Sequence, residues 1–173
     1  MNQTMETILS RRSIRNFDDR PVKKEDLELM VQAALHAPSG MGLQTWKFTV
    51  VRSQEKIKRL ASAIETELNR PGYDMYCPQA LIIPSNERDS KYIHDDNACA
   101  LENIFLAAHS LGIGSVWINQ LNGICDRPAI RAVLQELQIP ENHVITGLVA
   151  LGYADDTPIK PKERIGQVAW IDE

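Results

Sequence analysis

The sequence lacks the features of a membrane protein and of a disulfide-stabilised protein. No apolar run approaches the roughly 18 residues that suggest a membrane span, and the N-terminus has no hydrophobic signal core. The three cysteines are an odd number and lie far apart, which disfavours a disulfide framework and favours free thiols. We therefore expect a cytoplasmic protein without a membrane partner.

Motifs for several common chemistries are also missing. There is no Walker loop, and the glycines at 40–42 and 112–114 lack the third glycine of a dinucleotide fingerprint. The four histidines are scattered, and no serine or cysteine has a nucleophile-elbow context. The cluster His94 to Asn97 fits the start of a helix, where the dipole favours acidic residues, so we expect no metal site there. A bound cofactor would supply the chemistry that these side chains lack.

Charge is unevenly distributed along the chain. The 173 residues have a net charge of -4, which disfavours nucleic acid as a partner. Residues 11–24 nevertheless hold six basic and two acidic groups, and three of the basic groups are Arg11, Arg12 and Arg15. Guanidinium groups bind phosphate oxygens in a planar, bidentate geometry. The segment therefore predicts a small phosphorylated ligand, with a solvated basic turn as the alternative.

Helical and strand patterns alternate irregularly, which indicates one layered domain of the α/β or α+β class over residues 1–173. Helices are predicted from about Thr4 to Ser10, after Lys23, after Ser53, from about Asp96 to Gly112, and after Asp126. Thr4 and Asp126 are the expected caps of the first and last of these helices. Strands are predicted over 46–51, 80–83, 114–118 and 144–151. Residues 154–173 form a C-terminal tail whose few apolar side chains need a partner surface.

Four segments occur in a fixed order along nearly the whole chain. They are Arg11-Arg12-Ser13-Ile14-Arg15 with Phe17 behind it, Ala37 to Trp46, Leu101 to Ile118 with its ending LGIGSVWI, and Gly152-Tyr153 followed by Lys160 to Arg164. Together they resemble the nitroreductase family of flavin mononucleotide (FMN) enzymes. The resemblance implies an α+β sandwich, in which helices flank a central, mainly antiparallel sheet. It also implies an intertwined homodimer, with the tail 154–173 packed on the partner and FMN at the interface.

The resemblance assigns both chain ends to the cofactor. Arg11 and Ser13, with Arg12 between them, match positions that hold the FMN phosphate and ribityl chain. Arg15 matches a cation near the pyrimidine edge of the ring, where reduction places negative charge, so its guanidinium would raise the flavin's potential. The C-terminal phosphate-binding pair is matched by Lys162 and Arg164.

Two further stretches match family contacts with the ring. The loop from Pro38 is expected to reach the flavin of the other subunit. Its contact residues are Pro38, Ser39, Gly40 and Gln44. Gly42 and Thr45 stand where the family commonly has asparagine and proline, so the loop departs from the family pattern at a polar contact. The second stretch contains Trp117, Ile118 and Asn119, and a backbone N–H such as that of Asn119 would lie near N5.

The resemblance also implies the activity. NADH or NADPH would reduce FMN and leave, and a nitroaromatic, quinone or similar small-molecule acceptor would then take the electrons at the same site. No side chain is expected to be catalytic in its own right, because FMN does the chemistry. The alternatives are a reductive dehalogenation enzyme of the same family, a non-catalytic flavin-binding redox sensor, and a phosphate-recognising module without flavin.

Overall fold

The computed structural model describes residues 1–155, 157–158 and 163–172. In this part of the chain, the helices and strands alternate in the following order: α1 (Gln3–Ser10), α2 (Lys24–Leu35), β1 (Trp46–Val51), α3 (Gln54–Leu68), β2 (Ala80–Glu87), α4 (Ile93–Ser110), β3 (Gly114–Ile118), α5 (Pro128–Glu136), β4 (His143–Val144) and β5 (Leu148–Gly152). A short 3-10 turn spans Gly40–Gly42 between α2 and β1.

The strands form one antiparallel sheet in the order β1-β2-β5-β3, and β4 pairs with the end of β2. β1 lies against β2 along its whole length, from Trp46 opposite Asn86 to Val51 opposite Leu81. The predicted α+β class with a mainly antiparallel sheet is confirmed.

Helices cover both faces of this sheet, because successive residues of a strand point to opposite sides. On one face, Leu81 and Ile83 of β2 are buried with side chains of α3 and α5. On the other face, Ala80 and Ile82 are buried with side chains of α2 and α4. The result is a three-layer sandwich, in which buried side chains fill the space between the sheet and the helices on each face.

The two chain ends contrast with this core. α1 buries none of its residues, and Met5, Ile8 and Leu9 are exposed on it. In the tail, the apolar side chains of Ile165, Val168, Trp170 and Ile171 are all exposed. Among the described residues, no helix is both long enough and apolar enough to cross a membrane.

Three local predictions were wrong. The side chain of Asn2, not Thr4, caps α1 by accepting a hydrogen bond from the N–H of Met5 (3.0 Å). The residue before α5 is Arg127, and Asp126 instead pairs with arginines. The apolar run 144–151 is not one strand, since strand pairing stops between Val144 and Leu148 although the intervening residues stay buried.

Candidate cofactor site

The basic segment 11–15 connects the end of α1 to the edge of the sheet. The backbone N–H of Ile14 donates to the carbonyl of Ser115 in β3 (3.0 Å), and Ser13 forms a parallel bridge with the same residue. Further along, the N–H of Asp18 donates to the carbonyl of Tyr153, just after β5 (2.9 Å). The segment is thereby fixed between the end of α1, β3 and the start of the tail.

Arg11 and Arg12 have different surroundings. The guanidinium of Arg11 lies over the ring of Phe105, 5.7 Å from its centroid, and its Nε is 3.8 Å from a carboxylate oxygen of the half-exposed Glu102. Arg12 donates from Nη1 to the carbonyls of Leu9 (2.9 Å) and Arg11 (2.8 Å). Arg12 thus stabilises the free carbonyls at the end of α1, whereas Arg11, apart from its contact with Phe105, has only a long ion pair in the described part of the chain.

A histidine lies behind these two arginines. His109 of α4 has its Nε2 2.7 Å from the hydroxyl of Ser10. Burial, together with the charges of Arg11 and Arg12, lowers the pKa of His109 below its usual value. The neutral imidazole is therefore favoured, and it adds no further positive charge to the cluster.

Arg15 is exposed and lies over the ring of Tyr76, with the guanidinium carbon 5.8 Å from the ring centroid. Within residues 1–155, 157–158 and 163–172, Arg15 forms no ion pair. Tyr76 belongs to a turn in which Met75, Tyr76 and Cys77 have positive φ angles of 55°, 69° and 49°. Strained backbone of this kind collects at functional sites. Sequence reasoning missed Tyr76, because nothing in this stretch signals three left-handed residues in a row.

A cavity of about 290 Å³ lies beside Arg15. Its lining comes from the N-terminal segment and from the start of the tail: Ser13, Ile14, Arg15, Asn16, Ala154, Asp155, Thr157 and Pro158. The N–H of Asp155 donates to the carbonyl of Asn16 (3.2 Å), which holds the two walls together. Of the predicted C-terminal phosphate pair, Lys162 lies outside the described residues and Arg164 is exposed.

The predicted flavin loop folds against its own chain. The hydroxyl of Ser39 donates to Oδ2 of Asp96 (2.8 Å), and the N–H of Gly40 donates to Oδ1 of the same carboxylate (2.8 Å). Pro38 and the side chain of Gln44 are exposed. None of the described loop residues lines the cavity beside Arg15. The cluster around Asp96 lies in the first turn of α4, as predicted, and the carboxylate of Asp96 also anchors the loop.

The second predicted ring stretch lies at the end of β3. Trp117 is 40% exposed, and its ring is 6.0 Å from that of Phe105, which also lies under Arg11. Ile118 is 1% exposed and belongs to the core, so only its backbone could contact a ligand. The N–H of Asn119 donates to the side-chain oxygen of Gln120 (3.0 Å), which would have to move before this N–H could meet a ligand.

The described residues contain no group of histidine, cysteine, aspartate and glutamate side chains that could hold a metal ion. The side chains that line the cavity instead offer an arginine, two hydroxyls and an amide as donors, beside the carboxylate of Asp155, which accepts from the N–H of Thr157 (2.9 Å). Such donors match an anion with hydroxyl groups.

Comparisons with known proteins identify the family of the chain. The sequence profile of the nitroreductase family matches residues 8–80 and 68–153. A protein of Archaeoglobus fulgidus, provisionally named NADH dehydrogenase/NAD(P)H nitroreductase, is 38% identical over 161 residues, which cover 90% of this chain and 88% of that protein. The NADPH-flavin oxidoreductase of Vibrio harveyi is 31% identical over 174 residues, which cover 94% of this chain and 70% of the relative.

A solved structure extends the similarity to the backbone. The crystal structure of a nitroreductase with bound FMN from Bacteroides fragilis is 37% identical and superimposes with a TM-score of 0.92, over 99% of this chain and all of the other. Both the sequence and the fold therefore lead to one conclusion: the chain belongs to the nitroreductase family.

Proposed function

We propose that the protein is an FMN-dependent oxidoreductase that takes hydride from NADH or NADPH and reduces a nitroaromatic, quinone or similar small molecule by a ping-pong mechanism. The observation that carries this proposal is the cavity where Ser13 and Arg15 meet the start of the tail. The FMN-bound structure from Bacteroides fragilis, with its TM-score of 0.92, supports the same cofactor.

The side chains around the cavity fit FMN. Among the described residues, Arg11, which precedes the cavity-lining residues in the same segment, has one ion pair of 3.8 Å, to Glu102, and Arg15 has none, so both guanidinium groups can bind an anion. Arg11 and the exposed hydroxyl of Ser13 would hold the phosphate and ribityl chain. Arg12 is the weaker member of the set, because its Nη1 is engaged at the end of α1. Lys162 and Arg164 complete the proposed phosphate site.

When bound, FMN supplies the hydride-accepting and electron-donating chemistry. The residues of this chain bind and orient it. Arg15 places a fixed positive charge at the pyrimidine edge, which favours the reduced cofactor through preorganised electrostatics. Trp117 and the backbone of Ile118 and Asn119 border the ring, which requires the side chain of Gln120 to release the N–H of Asn119.

We also propose that the protein acts as a homodimer. The apolar side chains of the tail are 75–88% exposed, and Met41 and Leu43 at the tip of the flavin loop are 84% and 54% exposed. Exposed apolar surface of this extent is typical of a protein interface. The partner would cover the tail and bring its own Pro38, Ser39, Gly40 and Gln44 to the FMN. The free thiols, of which Cys77 is exposed, agree with the proposed cytoplasmic location.

The test begins with the purified protein. We expect flavin absorbance bands, bleaching by NADH or NADPH under anaerobic conditions, and parallel lines in steady-state kinetics with a quinone. Absence of bound FMN under saturating conditions would contradict the cofactor, and intersecting lines would contradict a shared site. Bleaching without any acceptor turnover would indicate a redox sensor.

The role of Arg15 has a separate measurement. Arg15→Ala should lower the reduction potential of bound FMN, by about 30 mV for each tenfold loss in the preference for the reduced cofactor. The matched control is Arg59→Ala, which removes an exposed arginine of α3 that pairs with Glu136 of α5 (2.6 Å). Equal reduction potentials of bound FMN in the two variants would contradict the proposed position of Arg15 at the pyrimidine edge.

A further inference from the structure

Asp96 is a carboxylate that lies inside the protein without a cation. It is 2% exposed, and no ion pair with it occurs among the residues that the structure describes. A buried carboxylate is unfavourable unless hydrogen bonds replace its hydration. Both of its oxygens are satisfied by one loop, because Ser39 donates from its hydroxyl and Gly40 from its backbone N–H, each over 2.8 Å. The N-terminal turn of α4 adds a favourable dipole for the negative charge.

The loop depends on this anchor for its shape. The hydroxyl of Ser39 also accepts a hydrogen bond from the N–H of Gln44 (3.0 Å), which closes residues 39–44 into a ring. Met41, Gly42 and Gln44 have positive φ angles of 55°, 68° and 50°, and two of these residues are not glycine. Such backbone persists only where its surroundings hold it. The carboxylate of Asp96 holds it through Ser39, together with backbone hydrogen bonds from Gly42 to Ser39 (2.9 Å) and from Leu43 to Gly40 (3.2 Å).

The other end of the loop is tied to the next residue of α4. Thr45 donates from its hydroxyl to Oδ1 of Asn86 (3.0 Å), and Asn86 donates from Nδ2 to Oδ1 of Asn97 (2.7 Å). Asn97 donates in turn to the hydroxyl of Thr146, between β4 and β5 (2.8 Å). Two successive helix residues therefore fix both ends of the loop, and Thr45, where the family commonly has proline, is part of this network.

Gly40 adds a steric condition to the same anchor. A Cβ at this position would overlap the ring of Tyr92, the residue that precedes α4. The loop backbone therefore lies directly on the ring of Tyr92, and the N–H of Gly40 can approach the carboxylate only because it has no side chain.

We propose that Asp96 is a positioning residue of the cofactor site, which holds the loop 39–44 in the conformation that contacts the FMN of the partner subunit. This inference rests on the proposed function, since it assigns a task to the loop of that site. Asp96 itself does not touch the cofactor. It acts through Ser39 and Gly40, and it leaves Gln44 and the apolar tip free to face the partner.

The test compares Asp96 with its neighbour Asp95, which has the same charge in the same helical turn but is exposed. In the full-length dimer, Asp96→Ala should raise the dissociation constant for FMN at least about tenfold, because two charge-assisted hydrogen bonds are lost. The visible absorption and circular dichroism of the flavin that still binds should change as well. Asp95→Ala should leave the dissociation constant and both spectra as in the wild type.

A conservative variant separates positioning from bulk stability. In Asp96→Asn, the side-chain oxygen can still accept from Gly40, and Nδ2 can donate to the hydroxyl of Ser39, so the FMN affinity and spectra should largely recover. Ser39→Ala should weaken FMN binding by itself, since it removes the contact with Asp96 and the proposed contact with FMN, and it should cost less in Asp96→Ala than in the wild type, because the first of these contacts is already lost there. Independent, additive effects of the two substitutions would contradict the proposed route.

The outcomes distinguish the two proposals. Wild-type protein that takes up no FMN would overturn the proposed function and this inference with it. Wild-type protein that binds FMN, together with an Asp96→Ala dimer of unchanged affinity and flavin spectra, would overturn the inference alone. If Asp96→Ala does not fold, the half-buried Ser39 carries the test, and an unchanged FMN affinity and spectrum in Ser39→Ala would be the contradicting result.

Discussion

The sheet with its helical layers and the two chain ends use apolar side chains in opposite ways. Leu101 and Ile104 of α4 are completely buried, whereas Ile165 and Trp170 of the tail are 84% exposed. Burial of apolar surface is the main favourable term in folding. The central part can therefore stabilise itself within one chain, and the ends can gain comparable stability only from a partner surface. Folding and the proposed assembly into a dimer would thus depend on different stretches of the same sequence.

The largest effect is expected in the central part. Ile104→Ala should lower the free energy of unfolding by about 2–5 kcal/mol, since it leaves a cavity between α4 and the sheet. Denaturant unfolding at fixed protein concentration measures this. Leu29→Ala, at a 54% exposed position of α2, is the control and should change it by at most about 0.5 kcal/mol. Similar losses in the free energy of unfolding of the two variants would mean that burial in the central part does not determine stability.

The next largest effect is expected in the tail. Trp170→Ala should raise the dissociation constant of the dimer by about 10–100-fold, because aromatic anchors dominate interface energetics. Sedimentation over a range of concentrations measures this, and far-UV circular dichroism should stay unchanged. Asp172→Asn, a polar change in the same tail, should leave the dimer as it is. A dimer of normal stability in Trp170→Ala would mean that the tail lacks a partner surface.

A smaller effect should appear as pH is lowered. His143 is 8% exposed, with Nδ1 3.1 Å from the hydroxyl of Ser85. Burial, aided by the charges of Lys47 and Arg131, lowers its pKa below the usual 6.5, although Ser85 and Glu87 act in the opposite direction. The folded state thus binds fewer protons than the unfolded state.

The contribution of His143 to the free energy of unfolding should therefore be fully present above pH 6.5, and it should decrease as the pH drops below that value. Unfolding measured between pH 8 and about pH 5 tests this, on the basis of the unperturbed histidine pKa. His143→Gln should reduce the slope of the free energy of unfolding against pH. The control is His94→Gln, at an exposed position, which should leave this slope as in the wild type. The slope that remains belongs in part to His109, whose pKa is also lowered.

The smallest effect concerns an ion-pair cluster on the surface. Asp126 accepts from Arg88 at both oxygens (2.7 Å each) and from Arg131 (2.6 Å), and these contacts lower its pKa to about 2. Its side chain is 53% exposed, so Asp126→Asn should cost less than about 1 kcal/mol. The loss should shrink at high salt. This contribution is present above pH 3.8 and disappears as pH falls through about 2. A larger loss in the free energy of unfolding would mean that this surface ion-pair cluster contributes to the stability of the central part.

Local patterns in the sequence predicted much of the fold. The bounds of β1 and β3 agree with the prediction, and the helical spacing of Leu27, Met30 and Ala34 marks the buried side of α2. These features depend on neighbours in the chain, which periodicity reports directly. The interruption at 145–147 was missed, because these residues remain buried and apolarity alone does not reveal where strand pairing stops.

The candidate site was predictable only in part. The arginine cluster is visible in the sequence, and the structure places Ser13 and Arg15 at one cavity. The contacts of Asp96 and Tyr76 were not predictable, because each depends on residues far away in the chain. Asp96 is polar, and it is buried where Ser39 and Gly40, more than 50 positions earlier in the chain, donate to its carboxylate.

The bridge between Phe17 and Ala154 brings together residues that lie far apart in the sequence. During synthesis, the first arginines leave the ribosome long before their final neighbours exist, since Ala154 follows the last strand of the sheet. Chains grow at roughly 5–20 residues per second. A nascent chain must therefore wait several seconds with its basic N-terminal segment undocked, and it can load a nucleotide only after Ala154 has been synthesised.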